Sequence, residues 1–516
     1  MRAKARWLIM LAVMLIYATG CGGNSDNGST DDNDESYASA LNTVAEHETG
    51  LPSRLLEIIE ENRKVAFPLP VANFEQVLQN FMTPNLDADR DAEIAELIRI
   101  YRESDVEQPY YLSQEQMTYE INFLFDVLRY GYGAYQHFGG DEVFFAMRDA
   151  LLEQLAQESD MLQLGTYLHE ILLPAFADVI ADNHFWLEGH RLWAGSQLYM
   201  NGTYVVRESD VGFIVEIRGT SYAITSTKLS DGRDVAGLLP TLTREGELAW
   251  AFGHVEYGLH VHELRNMLQM VATLTNIETG ESREHILMLH SVRDASGQGP
   301  EKSWRDGVPI LRNWVLQDRS FVCTAETVRD EPVLVLDLRG HNGGNDGLAL
   351  EWLYRYSGHQ PIYSMLFAHL RLNSAVVREM TPWLPSAPSG SQPEWTLFET
   401  PSRREIIPND RLVIVLTCNS IGSAGDTFVG YMRQMENVLI VGVNTRGVLV
   451  TGNVAEVVLP YSRFSVHFGV SLNIRPDLSQ FEGVGFAPDL WVDPAESLDR
   501  VFRFIERYGL ADGMRE

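Results

Sequence analysis

The second half of the chain contains continuous apolar runs that are long enough for a β-strand and too short for a helix. Two of them are "PVLVLDL", which begins at Pro332, and "LVIVLTC", which begins at Leu412. Each is followed by a glycine-containing turn and a helix-like stretch. A strand that is apolar on both sides must be covered on both faces, as in parallel sheets flanked by helices. The pattern predicts an α/β core over residues 313–516.

Two regions of different character precede this core. Over residues 37–183 the apolar spacing is helical, and Ser113 with Gln116 has the spacing of a capping box before one helix. Residues 184–312 contain short alternating runs such as "GFIVEIRG", separated by Gly, Asp and Asn turns. A chain of 516 residues can form two or three domains. We therefore predict an N-terminal helical domain and a β-rich middle module ahead of the α/β core.

The N-terminus has the features of an export signal. Basic residues precede an apolar stretch, and a small-residue cleavage site ends at Cys21. This segment resembles a bacterial lipoprotein signal, so we predict that residues 1–20 are a signal peptide and that Cys21 carries a lipid. Residues 21–36, rich in Gly, Ser, Asn and Asp, are predicted to be a flexible tether. We expect a lipid-anchored protein of the cell envelope, in the outer membrane where the host has two membranes.

Charge and cysteine content narrow the class of protein. The formal net charge is −31, whereas a nucleic-acid-binding protein needs a basic face, so we expect no nucleic-acid partner. Only Cys323 and Cys418 follow Cys21, too few for a disulfide scaffold. Cys418 ends an apolar strand, which favours a buried free thiol, although the two cysteines could also pair.

Two turns of the predicted core are candidates for chemistry. In "VLDLRGHNGGNDG", Gly343 and Gly344 lie between a strand and a helix, where backbone N–H groups can turn toward a ligand. In "SIGSAGD", Ser423 also lies between a strand and a helix, where a hydroxyl can be exposed beside free N–H groups. Ile421 excludes the G-x-S-x-G nucleophile elbow. Taken alone, an ordinary strand-to-helix turn explains either loop equally well.

Taken together, four segments resemble the C-terminal processing peptidases, a serine peptidase family that includes tail-specific proteases and the tricorn core. In chain order they are "DLRGHNGG", "SAGD", "VLIVGVNTRG" and "FEGVGFAPDLWV". The resemblance implies an α/β core of the ClpP/crotonase-like type, with Ser423 as nucleophile. It also implies an oxyanion hole formed by N–H groups of Gly343 or Gly344 and of Ala424. His341 departs from the family pattern, which usually has asparagine there.

The same resemblance implies two alternative bases for the serine, a lysine downstream of it or a histidine ahead of the core that a late glutamate orients. The lysines of this chain are Lys4, Lys64, Lys228 and Lys302. None of them follows Ser423, which excludes the usual Ser-Lys dyad. His184, in "ADNHFW", resembles the histidine segment of the tricorn type, with His190 as a nearby competitor. We predict a triad of Ser423, His184 and Glu482.

These residues predict a lipid-anchored serine endopeptidase that hydrolyses peptides or unfolded proteins, with no cofactor and no metal. The alternative is a catalytically silent member of the same fold that acts as an envelope binding or scaffold lipoprotein. An esterase would use the same triad with a different pocket. A hydrogen bond between Ser423 and His184 would separate an active peptidase from the silent member. The middle module has no clear PDZ signature, so recognition of free C-termini is not implied.

Overall fold

The computed structural model describes residues 51–82, 85–235, 237–260, 263–359, 366–385, 395–399 and 406–511. The predicted signal peptide, Cys21 and the tether lie outside the described residues. The described residues all fall within one compact unit, His47–Glu516. Within them, no helix combines the length and apolar character that crossing a bilayer requires.

The N-terminal part is helical. Its helices are α1 (Ser53–Ala66), α2 (Phe74–Leu78), α3 (Ala88–Glu103), α4 (Gln114–Gly131), α5 (Gly140–Leu155), α6 (Leu164–Thr166) and α7 (Leu173–Ala177), with a 3-10 turn at Gln79–Phe81 and a π-helical segment at Tyr167–Leu172. Two short antiparallel strands, β1 (Tyr111–Ser113) and β2 (Met161–Gln163), pair beside α4. The Gln116 N–H donates to Ser113 Oγ at 3.2 Å and the Ser113 N–H donates to Gln116 Oε1 at 2.9 Å, so the predicted capping box is confirmed.

The middle region is a closed antiparallel β-barrel over residues 193–291, which lies inside the β-rich module predicted for residues 184–312. A short hairpin of β3 (Trp186–Leu187) and β4 (His190–Arg191) precedes the barrel. The strands of the barrel region are β5 (Trp193–Met200), β6 (Val206–Ser209), β7 (Gly212–Ile217), β8 (Thr220–Leu229), β9 (Leu238–Leu242), β10 (Leu248–His260), β11 (Met267–Asn276) and β12 (Ser282–Ser291). The order is β5-β12-β11-β8-β7-β6-β10, and β10 pairs with β5 to close the ring, while β9 adds to β10. Large side chains such as Trp250 and Phe252 fill its interior.

The C-terminal part is an α/β core, and it begins ahead of the predicted boundary at residue 313, because two strands from residues 302–312 join its sheet. Its strands are β13 (Lys302–Arg305), β14 (Val308–Arg312), β15 (Val333–Asp337), β16 (Ala368–Leu372), β17 (Trp395–Glu399), β18 (Leu412–Thr417), β19 (Val438–Gly442), β20 (Thr451–Val458), β21 (Ser465–Ile474) and β22 (Leu490–Trp491). Its helices are α8 (Ser320–Thr324), α9 (Asp346–Ser357), α10 (Ala375–Met380), α11 (Ala424–Met432) and α12 (Pro494–Arg507), with a 3-10 turn at Ala325–Thr327. One sheet has the order β13-β14-β15-β18-β19-β22 and is parallel from β14 onward.

The parallel sheet is covered on both faces. On β15, Leu334 packs in one layer with Trp352 of α9 and Phe428 of α11. Its neighbour Val333 packs in the opposite layer with Phe502 of α12. All residues of β15 are buried, because alternate side chains of the strand enter two different apolar layers.

A second sheet joins the N-terminal helices to the core. Its order is β17-β16-β21-β3-β4, and β20 pairs with β21. Residues of α3, α4, α5 and α7 share one apolar cluster with residues of β16, β20 and β21. The helices therefore bury their apolar faces on strands from residues 368–474 as well as on one another.

The carboxyl ends of β15, β18 and β19 lie side by side. Asp337 is level with Leu416 and Thr417 is level with Gly442 in the parallel ladders. The loops that follow these strands therefore begin at the same edge of the sheet, the position where open α/β sheets usually place their sites. This edge brings the glycine loop, the serine turn and residues 443–450 together.

Candidate active site

Ser423 forms the tight turn between β18 and α11 and has φ 57° and ψ −123°. This backbone region is sparsely populated by residues with a side chain and persists only when the surroundings hold it. Its glycine neighbours are required by packing. A Cβ on Gly422 would lie 2.8 Å from Val448 Cγ2, and one on Gly425 would lie 2.5 Å from His341 Nδ1. Ser423 is the N-cap of α11, yet its side chain makes no capping hydrogen bond, which leaves the hydroxyl available.

The loop after β19 is fastened to the serine turn through a buried carboxylate. Asp426 accepts the N–H groups of Gly447 and Val448, each at 2.9 Å. Burial raises the pKa of Asp426 to about 6. A further hydrogen bond runs from the Arg446 N–H to the carbonyl oxygen of Ile421 at 2.8 Å. Three hydrogen bonds therefore hold the serine turn against residues 446–448.

The glycine loop supplies backbone donors next to the serine. Gly343 has φ 127°, and a Cβ placed on it would lie 3.2 Å from Ser423 Cβ. A Cβ on Gly344 would lie 2.2 Å from the carbonyl oxygen of Leu316, so glycine is required there by close backbone approach. Within the described residues the N–H groups of Gly344 and Ala424 make no hydrogen bond, as expected for Ala424 at the first position of a helix.

The N–H of Gly343, the remaining predicted oxyanion donor, is already hydrogen-bonded to His341. The Gly343 N–H donates to His341 Nδ1 at 3.2 Å. The ring is fully buried, and burial lowers the pKa of His341 to about 4, so the imidazole is neutral. Because Nδ1 accepts a hydrogen bond, the proton lies on Nε2, which is enclosed without a partner. The histidine that replaces the usual asparagine at position 341 thus occupies the Gly343 N–H with a hydrogen bond inside the glycine loop.

His184 lies between α7 and β3 and is 6% exposed. Its Nδ1 is 3.3 Å from Thr451 Oγ1, and the Thr451 hydroxyl lies 2.9 Å from Asp182 Oδ2. The single hydroxyl proton goes to the carboxylate, so the Thr451 oxygen accepts from Nδ1–H of the imidazole. This tautomer leaves the lone pair on Nε2, as a general base requires. Nε2 makes no hydrogen bond within the described residues and, unlike Nε2 of His341, is not fully enclosed.

Asp182 organises the surroundings of the histidine. Besides Thr451, its carboxylate accepts the Tyr132 hydroxyl at 2.9 Å and the His184 N–H at 2.8 Å. Burial lowers the pKa of His184, and the negative charge of Asp182 opposes part of that shift. A neutral imidazole next to a buried acid is the protonation state from which a base can act.

Glu482 is buried, but the predicted hydrogen bond between it and the His184 ring is not formed. Its Oε1 accepts the N–H and the side-chain amide of Asn183 at 2.7 and 2.9 Å. Its Oε2 accepts the N–H groups of Leu449 and Val450 at 2.7 and 2.8 Å. Burial and the charge of Asp182 raise the pKa of Glu482 to about 8, whereas the N–H donors act in the opposite direction and favour the ionised carboxylate. The carboxylate therefore ties the residue before His184 to the segment that leads into β20.

The predicted site residues lie in one region, but the expected hydrogen bond between Ser423 and His184 is not formed. Val448 packs against Gly422 beside the serine, and Thr451 contacts the histidine. Three residue steps span at most about 11 Å, so this segment connects the two sites over a short distance. No hydrogen bond joins Ser423 to His184 in the described structure. The competitor His190 is exposed, and its ring makes an edge-to-face contact with the ring of another histidine.

Three residues that shape the site were not assigned from the sequence. Asp182 was visible only as the acid two residues before His184, and Asp426 only as the last residue of "SAGD". Thr451 follows the "TRGVLV" turn with nothing in its neighbourhood to mark it. Its role depends on β20 lying beside the histidine loop, which local sequence does not encode.

Comparison with known proteins gives one family match and a set of distant structural likenesses. The peptidase family S41 model matches residues 319–492. A search of curated proteins found no match. Mature CPAF is 15% identical with a TM-score of 0.38, and the alignment covers 78% of this chain and 98% of that one. The photosystem II D1 C-terminal processing protease is 14% identical with a TM-score of 0.33, over 75% and 96% of the two chains.

The tricorn protease is 10% identical with a TM-score of 0.32, over 78% of this chain and 37% of that one. The family match covers the glycine loop, Ser423 and Glu482, whereas His184 lies ahead of it. The segment 319–492, with its serine turn at the carboxyl edge of a parallel sheet, is therefore the part of the chain that is similar to peptidase family S41.

Proposed function

We propose that this chain is a serine peptidase that hydrolyses peptide bonds of peptides or unfolded proteins. The observation that carries the proposal is the strained turn at Ser423, whose hydroxyl and the neighbouring N–H of Ala424 make no hydrogen bond within the described residues and lie beside the glycine loop. Strain of this kind costs about 1–3 kcal/mol and is found mainly at functional sites. An ordinary strand-to-helix turn has no need of it.

In the proposed reaction, Ser423 Oγ attacks the carbonyl carbon of the scissile bond as His184 Nε2 takes the hydroxyl proton. The relay from Nδ1–H through the Thr451 hydroxyl to Asp182 holds the tautomer and stabilises the imidazolium that forms. The imidazolium then gives the proton to the leaving amine. Water repeats the sequence to release the acyl group.

The N–H groups of Ala424 and Gly344, which have no partner in the part of the chain that the structure describes, are our proposed oxyanion donors. Gly343 would join them only when its N–H leaves His341 Nδ1. One such donor contributes about 3 kcal/mol to transition-state stabilisation, so the state of His341 affects the rate strongly.

We propose that Glu482 is a positioning residue in this chain. It holds the backbone of Asn183 against Leu449 and Val450, which sets the separation between the histidine loop and the serine turn. The acid that acts on the imidazole is then Asp182, through Thr451. This replaces the direct Ser-His-Glu relay expected from the family resemblance.

A catalytically silent protein is the second candidate, because two observations favour it. Ser423 and His184 are not hydrogen-bonded, and the Gly343 donor is occupied. Catalytic hydrogen bonds are often long before substrate binds, so the peptidase remains our first proposal. The description of the core as ClpP/crotonase-like also stays a prediction.

The test is digestion of a library of unfolded proteins by the chain lacking residues 1–36, with cleaved bonds mapped by mass spectrometry. The wild type should cut, while Ser423→Ala and His184→Ala should not. His190→Ala and Lys302→Ala are controls and should cut as the wild type does. If no bond is cut by a folded wild-type sample, the silent protein is the better account.

We further propose that lipid on Cys21 anchors the peptidase in the bacterial cell envelope, on the outer membrane in hosts that have one. The support is the signal-like sequence of residues 1–21. In a bacterial expression host, labelled fatty acid should be incorporated into the wild type and not into Cys21→Ser. Labelling of the variant would reject the anchor, independently of peptidase activity.

A further inference from the structure

We propose that Arg191 and Arg446 form a subsite that binds a carboxylate of the substrate beside Ser423 and His184. The inference rests on the proposed peptidase function and deepens it, since it assigns a chemical class to part of the substrate. Nothing in the predicted catalytic machinery requires these two arginines.

Arg446 belongs to the serine side of the site. Its N–H donates to the carbonyl oxygen of Ile421, two residues before the serine, at 2.8 Å. Its Nε donates to the carbonyl oxygen of Asn419 at 3.2 Å. The terminal nitrogens of its guanidinium make no hydrogen bond within the described residues, and the side chain is half-buried.

Arg191 belongs to the histidine side. It lies on β4 opposite Trp186 of β3, and its guanidinium stacks over that indole ring at 4.5 Å. The indole N–H in turn donates to the carbonyl oxygen of Asn183 at 2.6 Å, next to His184. The positive charge of Arg191 reaches the imidazole, where it contributes to the lowered pKa of His184.

The two cations act on each other. A Cβ on Gly195, shortly after Arg191, would lie 3.4 Å from the carbonyl oxygen of Arg446, so the two segments are in contact. Partial burial and the charge of Arg446 lower the pKa of Arg191 to about 10. Two guanidiniums that repel each other are stable together only at a cost, which a bound anion would relieve.

Neither arginine pairs with a carboxylate in the described chain, although the formal net charge is −31 and acids outnumber bases. Elsewhere arginines do find acids, as Arg433 does with Asp489 at 2.9 Å. The two guanidiniums are held by backbone oxygens and an aromatic face and keep free N–H donors. Planar guanidiniums with free donors recognise carboxylates through paired hydrogen bonds.

A peptide substrate offers this chemistry in two forms, an Asp or Glu side chain and the C-terminal carboxylate. Both present the same pair of oxygens to the two arginines. A short alanine-rich peptide with one internal Glu and an amidated end carries only the first. Its Gln counterpart with a free C-terminus carries only the second, and the amidated Gln peptide carries neither.

The experiment measures binding of these fluorescein-labelled peptides to the Ser423→Ala chain by fluorescence anisotropy, and cleavage by the wild type. Arg191→Gln and Arg446→Gln are each compared with their parent. Arg283→Gln is the matched control. Like Arg191, Arg283 is exposed and its guanidinium lies over an aromatic ring, that of Tyr222 at 4.4 Å, but it belongs to the barrel.

We expect at least one carboxylate-bearing peptide to bind about tenfold more tightly than the amidated Gln peptide, as one paired contact would give. Each site variant should remove that preference, the control variant should keep it, and added salt should weaken it. Equal binding of all peptides, or a preference that survives both site variants, would overturn the subsite.

The two proposals fail separately. If the wild type cleaves peptides but shows no arginine-dependent preference, the subsite is wrong and the peptidase stands. If the wild type cleaves nothing while the Ser423→Ala chain binds carboxylate peptides through Arg191 and Arg446, the subsite stands and the peptidase is wrong.

Discussion

Replacing Thr451 with valine tests which acid acts on the histidine. The hydroxyl of Thr451 is the only link between Nδ1 of His184 and the carboxylate of Asp182 in the described structure. Valine keeps the shape of the side chain and removes this link. A hydrogen bond to a charged group contributes about 1.5–3 kcal/mol, which corresponds to a fall in kcat/KM of about 10- to 150-fold.

The same change should disturb folding only modestly, because Asp182 retains the Tyr132 hydroxyl and the His184 N–H. Glu482→Gln should behave in the opposite way. The glutamine amide turns one acceptor into a donor that faces backbone N–H groups, and each unsatisfied donor costs about 1–3 kcal/mol. We therefore expect Glu482→Gln to lower the Tm clearly and Thr451→Val to lower kcat/KM with a smaller change in Tm.

Both quantities are measured on the same preparations, by peptide hydrolysis and by thermal unfolding. Thr451→Ser is the matched control, because it keeps the hydroxyl and should recover most of the activity. A Thr451→Val variant with kcat/KM within about twofold of wild type, beside a Glu482→Gln variant that is inactive at unchanged Tm, would refute the relay. Glu482 would then be the acid that acts on the imidazole.

Three further predictions follow from the contacts of the site. Burial lowers the pKa of His184, so kcat/KM should rise with pH through an apparent pKa below 6.5 as the neutral base forms. The variant Asp182→Asn removes the negative charge that opposes this shift, so a pH–rate profile should show its midpoint at a still lower pH. Gly425→Ala should lower the Tm and abolish hydrolysis, because its Cβ would lie 2.5 Å from the buried Nδ1 of His341. The control Gly165→Ala, whose Cβ would have nothing within 4 Å, should leave the Tm and the activity unchanged, and equal melting curves for the two variants would contradict the packing of the serine turn. Asp426→Asn keeps one acceptor for two N–H groups, so it should lower the Tm and reduce kcat/KM by about tenfold or more, and wild-type values in both assays would show that the turn does not depend on the carboxylate.

The parallel sheet could be predicted because its signal is local. The continuous apolar runs at Val333–Asp337 and Leu412–Thr417 became strands that are buried throughout. Cys418 is likewise buried and free, as its place at the end of an apolar strand indicated. In each case the same short segment carries both the pattern and the burial that the pattern requires.

The partners that cover the apolar faces of the N-terminal helices could not be predicted from the sequence. The N-terminal helices have amphipathic patterns, but those patterns do not say that the partners include β16, β20 and β21, which come far later in the chain. The closure of the barrel also depends on one strand, β10, that pairs with β5 and β6 at once. Such pairings are fixed by tertiary packing and not by local propensity.

The site divides in the same way. Ser423 and the glycine loop were predicted from four segments that together resemble one peptidase family, because each turn alone is explained equally well by an ordinary strand-to-helix connection. The partner of the imidazole was not, because a buried glutamate and a buried threonine compete for the same space and only the fold decides which one reaches Nδ1. Here Glu482 is saturated by four N–H donors, which leaves Thr451 for the ring.

The central claim is that Ser423 is a nucleophile activated by His184, and a serine-reactive fluorophosphonate probe tests it most directly. The folded wild-type chain is incubated with the probe at pH 8, and the modified residue is located by peptide mass spectrometry. We predict a single phosphonylated residue, Ser423, with labelling lost in Ser423→Ala, slowed at least about a hundredfold in His184→Ala, and unchanged in Lys302→Ala. Absence of label on Ser423 in the wild type, or equal labelling rates with and without His184, would contradict the claim.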